Sequence, residues 1–240
     1  MGKRLGLTSL AVYCTVLLHC HVGFALSFIQ NGYVQKVVDG DTIWFNTRKD
    51  FDVETRLKIR MVHMDSPETH LPTKGGVVGQ GHYGVNAHKM LARILDGHDK
   101  VELDNQGLDR YNRTLGVIFA DGEDVNLKMV ETGWAIPYII CSGKECNRDY
   151  FEKQNVAAYV KACNEARAAG RGIWDPADPL EEMPFEFRLR NMEREPDKFV
   201  GDFETKNLYP PEDYKKVDAC QRIFFMRKYE GERAGYNAVY

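Results

Sequence analysis

The sequence is first informative for what it lacks. After its first 25 residues it contains no further apolar run of membrane-spanning length, and it has no internal repeat and no low-complexity tract. These absences argue against further membrane helices and against a repeat architecture. A net basic charge is also missing, because the formal charge is −3 at pH 7. The chain therefore lacks the overall basic field that nucleic-acid-binding proteins usually have.

Any binding of a polyanion must consequently depend on a local group of basic side chains. Six candidates for that group are Arg56, Lys58, Arg60, Lys74, Arg110 and Arg113. The hydrophobic content of 43% and the charged content of 28% are ordinary for a soluble globular protein and exclude a disordered chain. A length of 240 residues favours one domain with an appendage.

The N-terminal residues have the pattern of a secretory signal peptide. Lys3 and Arg4 precede a mostly apolar stretch at residues 5–18, and Ala25 ends a small-residue cleavage site. We expect cleavage after Ala25 and a mature protein in the periplasm or the medium, outside the membrane. The apolar stretch is short for a membrane span, but an uncleaved anchor stays open as an alternative.

Four cysteines would remain after cleavage: Cys141, Cys146, Cys163 and Cys220. An even number in an exported chain predicts two disulfides, with three possible connectivities. A bridge between Cys141 and Cys146 would close a tight local loop and leave Cys163 to pair with Cys220. A zinc site built from all four is the alternative, although the second pair lacks the close spacing of zinc ligands.

The pattern of short strands and helices predicts the fold class. Strands are expected at residues 34–38, 42–45, 56–61, 100–103 and 115–119. Asp39-Gly40 between the first two predicts a hairpin turn. Helices are expected at residues 87–95, in a short segment before Gly133, and at residues 150–169. This order predicts an α+β fold, a five-stranded OB-type β-barrel with about three helices.

Asp175-Pro-Ala-Asp-Pro179 marks a boundary, because proline stops helices. We expect a signal peptide at residues 1–25, a barrel domain at 26–176 and a C-terminal extension at 177–240. Within the extension, a helix is predicted from Pro211 through Phe224. The sequence assigns the extension no role.

Carboxylates and arginines recur in three short motifs. Asp41, Asp65 and Glu68 offer the oxygen ligands that a hard divalent cation prefers. Arg60 and Arg113 suit phosphate oxygens, because the planar guanidinium fork matches them in a bidentate way. Together these residue types favour phosphoryl transfer or phosphodiester cleavage.

Four motifs resemble the staphylococcal nuclease (thermonuclease) family. They are Val38-Asp-Gly-Asp-Thr42, Arg60 through Asp65-Ser-Pro-Glu-Thr69, Asp109-Arg-Tyr-Asn-Arg113, and Ala166-Arg-Ala-Ala-Gly-Arg-Gly-Ile-Trp174. Each motif alone is weak, but all four occur in the family's order and spacing, over roughly residues 28–174. The resemblance implies an OB-type barrel and a calcium-dependent endonuclease for DNA and RNA, which cleaves on the 5′-oxygen side and leaves a 3′-phosphate.

The resemblance also implies roles for individual residues. Arg60, Glu68 and Arg113 would be catalytic. Asp41 and Asp65 would bind Ca²⁺ through their carboxylates and Ser66 through its backbone carbonyl. Tyr111 would contact the nucleotide, and Arg110 and Lys74 are added as substrate-binding residues from the basic group. The protein is expected to act as a monomer.

Two other function classes stay open at this point. One is a non-catalytic OB-fold module that binds nucleic acid, although such modules are expected to lose site carboxylates or arginines. The other is a calcium-binding or structural exported domain whose tail recruits a partner. Cleavage of nucleic acid, or its absence in a folded protein, separates both from a nuclease.

Overall fold

A computed structural model describes residues 28–240, so the expected signal peptide lies outside the described residues. The strands are Phe28–Asp39 (β1), Thr42–Asn46 (β2), Arg56–Met61 (β3), His63–Asp65 (β4), Leu71–Thr73 (β5), Gly76–Val78 (β6), Val101–Leu108 (β7), Thr114–Ala120 (β8), Glu123–Asp124 (β9), Ile136–Cys141 (β10), Phe199–Asp202 (β11), Asn207–Tyr209 (β12), Arg222–Phe225 (β13) and Asn237–Ala238 (β14). The α-helices are Gly81–Leu95 (α1), Val125–Glu131 (α2), Arg148–Lys153 (α3), Val156–Ala168 (α4), Pro184–Asn191 (α5) and Lys228–Arg233 (α6). Each helix within residues 28–240 is too short or too polar to cross a bilayer.

Five strands close into a barrel, which confirms the predicted fold class. Their order is β3-β2-β1-β7-β8, and a parallel pairing of β3 with β8 completes the ring. The other pairings around the ring are antiparallel. Closure removes the free sheet edges, and the interior is filled by apolar side chains such as Ile43, Phe45, Ile59, Leu103 and Ile118, all without exposed surface.

The predicted hairpin between β1 and β2 is present, but its turn lies one residue later than expected. Asp39 is still paired with Thr42, so Gly40 and Asp41 form the turn. A Cβ atom on Gly40 would lie 2.5 Å from Ser66 Oγ and 2.8 Å from Ala87 Cβ. The bare glycine therefore lets the turn, and with it Asp41, press against the segment that carries Asp65.

Helix α1 packs against β1 of the barrel and against α2. It buries Ala87, Leu91 and Leu95, as the three- and four-residue spacing predicts. Helices α2 and α4 pack on each other, and the Asp124 side chain caps α2 by accepting a hydrogen bond from Leu127 N. The single helix predicted at residues 150–169 is wrong in its continuity: it is divided into α3 and α4, because Asn155 between them has a left-handed backbone.

The C-terminal extension is built into a second sheet with strands of the barrel domain. The order of that sheet is β14-β12-β11-β13-β10-β4, and β13 lies between β10 and β11. The helix predicted from Pro211 through Phe224 is wrong. A 3-10 turn, Pro211–Lys216, is followed by β13, whose four residues are all buried. Pairing with β10 thus overrides the local helix pattern.

Both predicted disulfides are present. Cys141 pairs with Cys146, and Cys163 pairs with Cys220. The second bridge spans 57 residues and ties α4 to the extension. The cysteines are therefore committed to bridges, and the zinc alternative is wrong.

His63 is a buried histidine in β4, two residues before Asp65. Its side chain is 5% exposed, its ring meets Tyr159 edge-on at 5.6 Å, and its backbone is left-handed with φ 64°. Burial lowers its pKa from 6.5 to about 4. Because the folded-state pKa is below the unfolded value, the neutral ring contributes stability above pH 6.5 that is lost as the pH falls toward 4.

We predict that His63→Asn weakens this acid sensitivity. Asparagine does not titrate and tolerates a left-handed backbone. Urea unfolding at pH 7 and pH 4 should show that the parent protein loses about 3 kcal/mol more than the variant, from 1.36 kcal/mol per pKa unit. Equal losses in the two proteins would contradict the buried-histidine explanation.

Candidate nuclease active site

The site begins where three strands end together. Thr42 is paired with Arg60, so the Gly40–Asp41 turn lies against the end of β3, and Met61 N donates to Asp41 O at 2.8 Å. Arg60 forms ion pairs with both aspartates: one terminal nitrogen contacts Asp41 Oδ2 and the other lies 2.8 Å from Asp65 Oδ1. One guanidinium therefore joins the two carboxylates that are predicted to bind the metal.

Both aspartates are buried. Asp41 is 5% exposed and Asp65 is 0% exposed. Asp41 accepts from the Thr42 hydroxyl at 3.0 Å and from Ser66 N at 3.3 Å. Ser66 is itself buried, and its backbone N–H places it beside Asp41; its role as a carbonyl ligand stays a prediction.

The oxygen atoms that remain available on the two aspartates decide whether the site fits a divalent cation. Within residues 28–240 no group of three or more His, Cys, Asp or Glu side chains forms a ready metal cage. A carboxylate offers about four lone-pair sites. The hydrogen bonds and ion pairs among the described residues leave one such site on Asp41 Oδ1 and one on Asp65 Oδ2. The two aspartates therefore fit calcium as single-oxygen ligands, with carbonyl and water oxygens needed for the rest.

Glu68 follows Pro67 and is held through its backbone. Glu68 N donates to Gln80 Oε1 at 3.1 Å, and Gln80 N donates to Glu68 O at 2.8 Å. A Cβ atom on Gly84 of α1 would lie 2.3 Å from Glu68 O, so only glycine allows this close helix contact. Burial raises the pKa of the Glu68 carboxyl, while Arg188 opposes the shift and Asp65 adds to it.

Arg113 lies at the start of β8, next to the end of β3. The parallel pairing of Ile59 with Thr114 brings the two strand ends together. Asp109 holds the arginine: its Oδ1 accepts from Arg113 N at 2.9 Å and its Oδ2 from Arg113 Nε at 2.8 Å. The terminal nitrogens of Arg113 make no hydrogen bond within residues 28–240, and they are free for an anion.

A family model and several relatives in other organisms indicate the same family for this chain. Residues 58–176 match the model described as staphylococcal nuclease homologue. The chain is 38% identical over 209 residues to endonuclease YhcR of Bacillus subtilis, and the aligned region covers 85% of this chain and 16% of that protein. It is 30% identical over 182 residues to an uncharacterized endonuclease of Haemophilus influenzae, which covers 75% of this chain and 84% of that protein. It is 28% identical over 166 residues to micrococcal nuclease of Shigella flexneri, which covers 65% of this chain and 79% of that protein.

The chain belongs to the staphylococcal nuclease family. It is a nuclease, an enzyme that hydrolyses phosphodiester bonds, and its substrates are nucleic acids. The chain spans only 16% of the length of YhcR. The region aligned with YhcR covers 85% of this chain, which is more residues than the stretch 1–176 contains. Part of the aligned region must therefore lie in the extension.

The nuclease also contains a site arginine that the sequence pattern missed. Arg188 of α5 places Nη1 at 2.7 Å from Asp65 Oδ1 and 2.8 Å from Glu68 Oε1, and Nη2 at 2.8 Å from Asp65 Oδ2. Burial alone would lower the pKa of Arg188, but Asp65 and then Glu68 outweigh burial and raise it. No motif surrounds Arg188, and only the packing of the extension brings it to the site.

The three predicted substrate-binding residues do not all lie together. Tyr111 is 56% exposed, and the Arg110 guanidinium lies 4.9 Å from the centre of its ring. The Arg194 guanidinium in the extension, and after it that of Arg110, lowers the pKa of the Tyr111 hydroxyl. Lys74 instead pairs with Glu193 at 3.0 Å on the surface and contacts none of the site carboxylates. The exposed tyrosine and its arginines are suited to stacking and phosphate contact.

We predict that Gly84→Ala disturbs the nuclease site through Glu68. The added methyl group must displace the Glu68 carbonyl, because the nearest atoms are backbone. Overpacking of this kind should cost about 1–3 kcal/mol of unfolding free energy and reduce cleavage. Thermal unfolding and a DNA cleavage assay measure the two effects.

Gly75→Ala is the matched control. The nearest atom to its added Cβ is Thr73 Oγ1 at 3.9 Å, so this variant should keep the stability and activity of the parent protein. If Gly84→Ala behaved like Gly75→Ala, close helix packing would not be what holds Glu68 in place.

Proposed function

We propose that this chain is a secreted, calcium-dependent endonuclease that hydrolyses both DNA and RNA. The observation that carries the proposal is one buried cluster in which Arg60 joins Asp41 to Asp65, with Glu68 linked to Asp65 through Arg188. Carboxylates with free lone pairs and arginines at the rim provide a general base, metal ligands and phosphate-binding groups in one place.

Glu68 acts as the general base. Its Oε1 accepts from Arg188, and its Oε2 makes no hydrogen bond within residues 28–240, which leaves that oxygen for a water molecule. The raised pKa of the carboxyl strengthens it as a proton acceptor, provided that the pH keeps it ionised. Glu68 then takes the proton from the water as the water oxygen attacks phosphorus in line with the leaving 5′-oxygen. The bond between phosphorus and the 5′-oxygen breaks, and the 5′-oxygen takes up a proton from solvent water.

Arg113 and Arg60 stabilise the charge that develops on the phosphate. The side chain of Arg113 is 29% exposed and its terminal nitrogens are available to phosphate oxygens. Arg60 is held by ion pairs with the two aspartates, which fix its guanidinium within the cluster. Donors fixed before the reaction need no reorganisation in the transition state, which is the source of their catalytic effect.

Asp41, Asp65 and the Ser66 carbonyl are the proposed ligands of calcium. When bound, calcium would polarise a non-bridging phosphate oxygen. The lone pairs that remain on the two aspartates support this assignment.

Substrate contact beyond the scissile phosphate is assigned to Tyr111 and Arg110, and more weakly to Lys74, which lies apart from the carboxylates. We further propose a 3′-phosphate product, export directed by residues 1–25, no membrane attachment of the mature protein, and action as a monomer.

The first test is degradation of single-stranded DNA and of RNA by the mature protein, with calcium and then with excess chelator. We expect cleavage of both polymers with calcium and none with chelator. Calcium should also raise the melting temperature of the protein, because a ligand that binds only the folded state stabilises it. Mass spectrometry of an end-labelled oligonucleotide should find 3′-phosphate ends. A folded protein that binds DNA tightly without cutting it would instead indicate a binding module.

The second test assigns the roles. Glu68→Gln should lower the turnover of single-stranded DNA by about 10²–10⁴-fold, the range for loss of a general base. Arg113→Ala should lower it by about 10²–10³-fold, the range for loss of a preorganised donor. Steady-state kinetics at saturating calcium measures both changes.

Two exposed residues provide matched controls. Glu123→Gln removes an exposed carboxylate, and Arg48→Ala removes a guanidinium whose partner, Asp50, is also exposed. Both should cleave at the parent rate. Near-normal turnover in folded Glu68→Gln or Arg113→Ala would rule out the corresponding role.

A further inference from the structure

We propose that Arg188, contributed by the C-terminal extension, is a positioning residue of the nuclease site. It fixes the carboxylates of Asp65 and Glu68 relative to each other. The extension is then part of the catalytic apparatus, not an appendage. This inference rests on the proposed function, because it assigns Arg188 to the same site.

The contact geometry has the form of a clamp. The two terminal nitrogens of Arg188 bind the two oxygens of Asp65 at 2.7 and 2.8 Å, and the first of them also binds Glu68 at 2.8 Å. The planar fork of a guanidinium sets the angle as well as the distance of such a pair. One side chain therefore fixes the orientation of Asp65 and the position of the Glu68 carboxylate together.

A second contact from the extension supports Glu68 from its backbone side. Gln80, which exchanges hydrogen bonds with the Glu68 backbone, donates through its side chain to Glu182 O at 2.8 Å. Glu182 lies just before α5. The extension thus holds Glu68 twice, at the carboxylate through Arg188 and at the main chain through Gln80.

Helix α5 is seated firmly enough to perform this function. Phe185 and Phe187 are buried, and Glu186 pairs with the buried Arg222 of β13 at 3.0 Å. The Arg188 guanidinium also lies 5.6 Å from the centre of the Tyr138 ring on β10. Because β13 is a central strand of the second sheet, the position of Arg188 depends on the folded core.

The charges explain why such a clamp is needed. Asp41, Asp65 and Glu68 would repel one another, and Arg60 forms direct ion pairs with Asp41 and Asp65 but not with Glu68. A buried carboxylate without a partner is strongly unfavourable. Arg188 supplies the second positive charge, yet it leaves Glu68 Oε2 and one lone pair of Asp65 free for chemistry. A latch that blocked the site would have occupied these positions, so positioning is the favoured role.

The test compares Arg188→Ala, Arg188→Lys and Arg190→Ala. Arg190 is on the same helix but exposed, and it pairs with Glu182 on the surface. At saturating calcium we expect Arg188→Ala to lower kcat by about 10- to 100-fold with little change in KM, as for other residues that orient site ligands. Arg188→Lys keeps the charge without the fork and should recover only part of kcat. Added guanidinium ion should partly rescue Arg188→Ala, and Arg190→Ala should match the parent protein.

Two further measurements separate the possible failures. Calorimetry with calcium confirms that each variant is saturated, and it tests whether Arg188 competes with calcium for Asp65. If Arg188→Ala bound calcium more tightly and had a kcat equal to or above that of the parent, the proposal would be overturned in favour of a latch. Crystal structures of the parent protein and of Arg188→Lys show the positions of the carboxylates directly, without a cleavage assay. We expect the Glu68 carboxylate to move in the variant, and superimposable carboxylates would overturn the proposal. An inactive parent protein would count against the proposed function alone.

Discussion

The burial of Asp65 is the constraint on which the rest of the site depends. Its side chain has no exposed surface, and a carboxylate in that position must be compensated by opposite charge. Arg60 from the barrel and Arg188 from the extension provide this compensation. The site is therefore complete only when the barrel strands and the extension are both folded, because each supplies one of the two arginines.

The arginines around the cluster explain how an acidic chain can bind an anionic substrate. The net charge of −3 would repel nucleic acid at long range, so attraction must come from the arginines that surround the cluster. Arg113 on its Asp109 support, and Arg110 and Arg194 beside Tyr111, form such a local positive region. Since these contacts lie near the surface, substrate affinity should depend strongly on salt concentration. The ion pairs within the buried cluster are screened much less and should depend on it little.

Patterns between near neighbours in sequence predicted most of the barrel domain. The five barrel strands, α1 and both disulfides follow from alternation, helical spacing and cysteine arithmetic. Two errors arose where a distant segment decided the outcome. The turn after β1 lies at Gly40–Asp41, where it packs on Ser66, and the helix predicted through Phe224 is a strand because β10 offers it a partner.

The sequence by itself determined the chemistry available to this protein: motifs with Asp41, Asp65, Glu68, Arg60 and Arg113 in the order and spacing of a nuclease family. Each of these residues lies in a local pattern that can be recognised without a structure. Tertiary structure alone decided how the carboxylates are held, because Arg188 lies 120 residues or more from its two partners and no local pattern marks it. Contacts between distant segments depend on how whole elements pack, and α5 reaches the site only because the extension shares a sheet with β10 and β4.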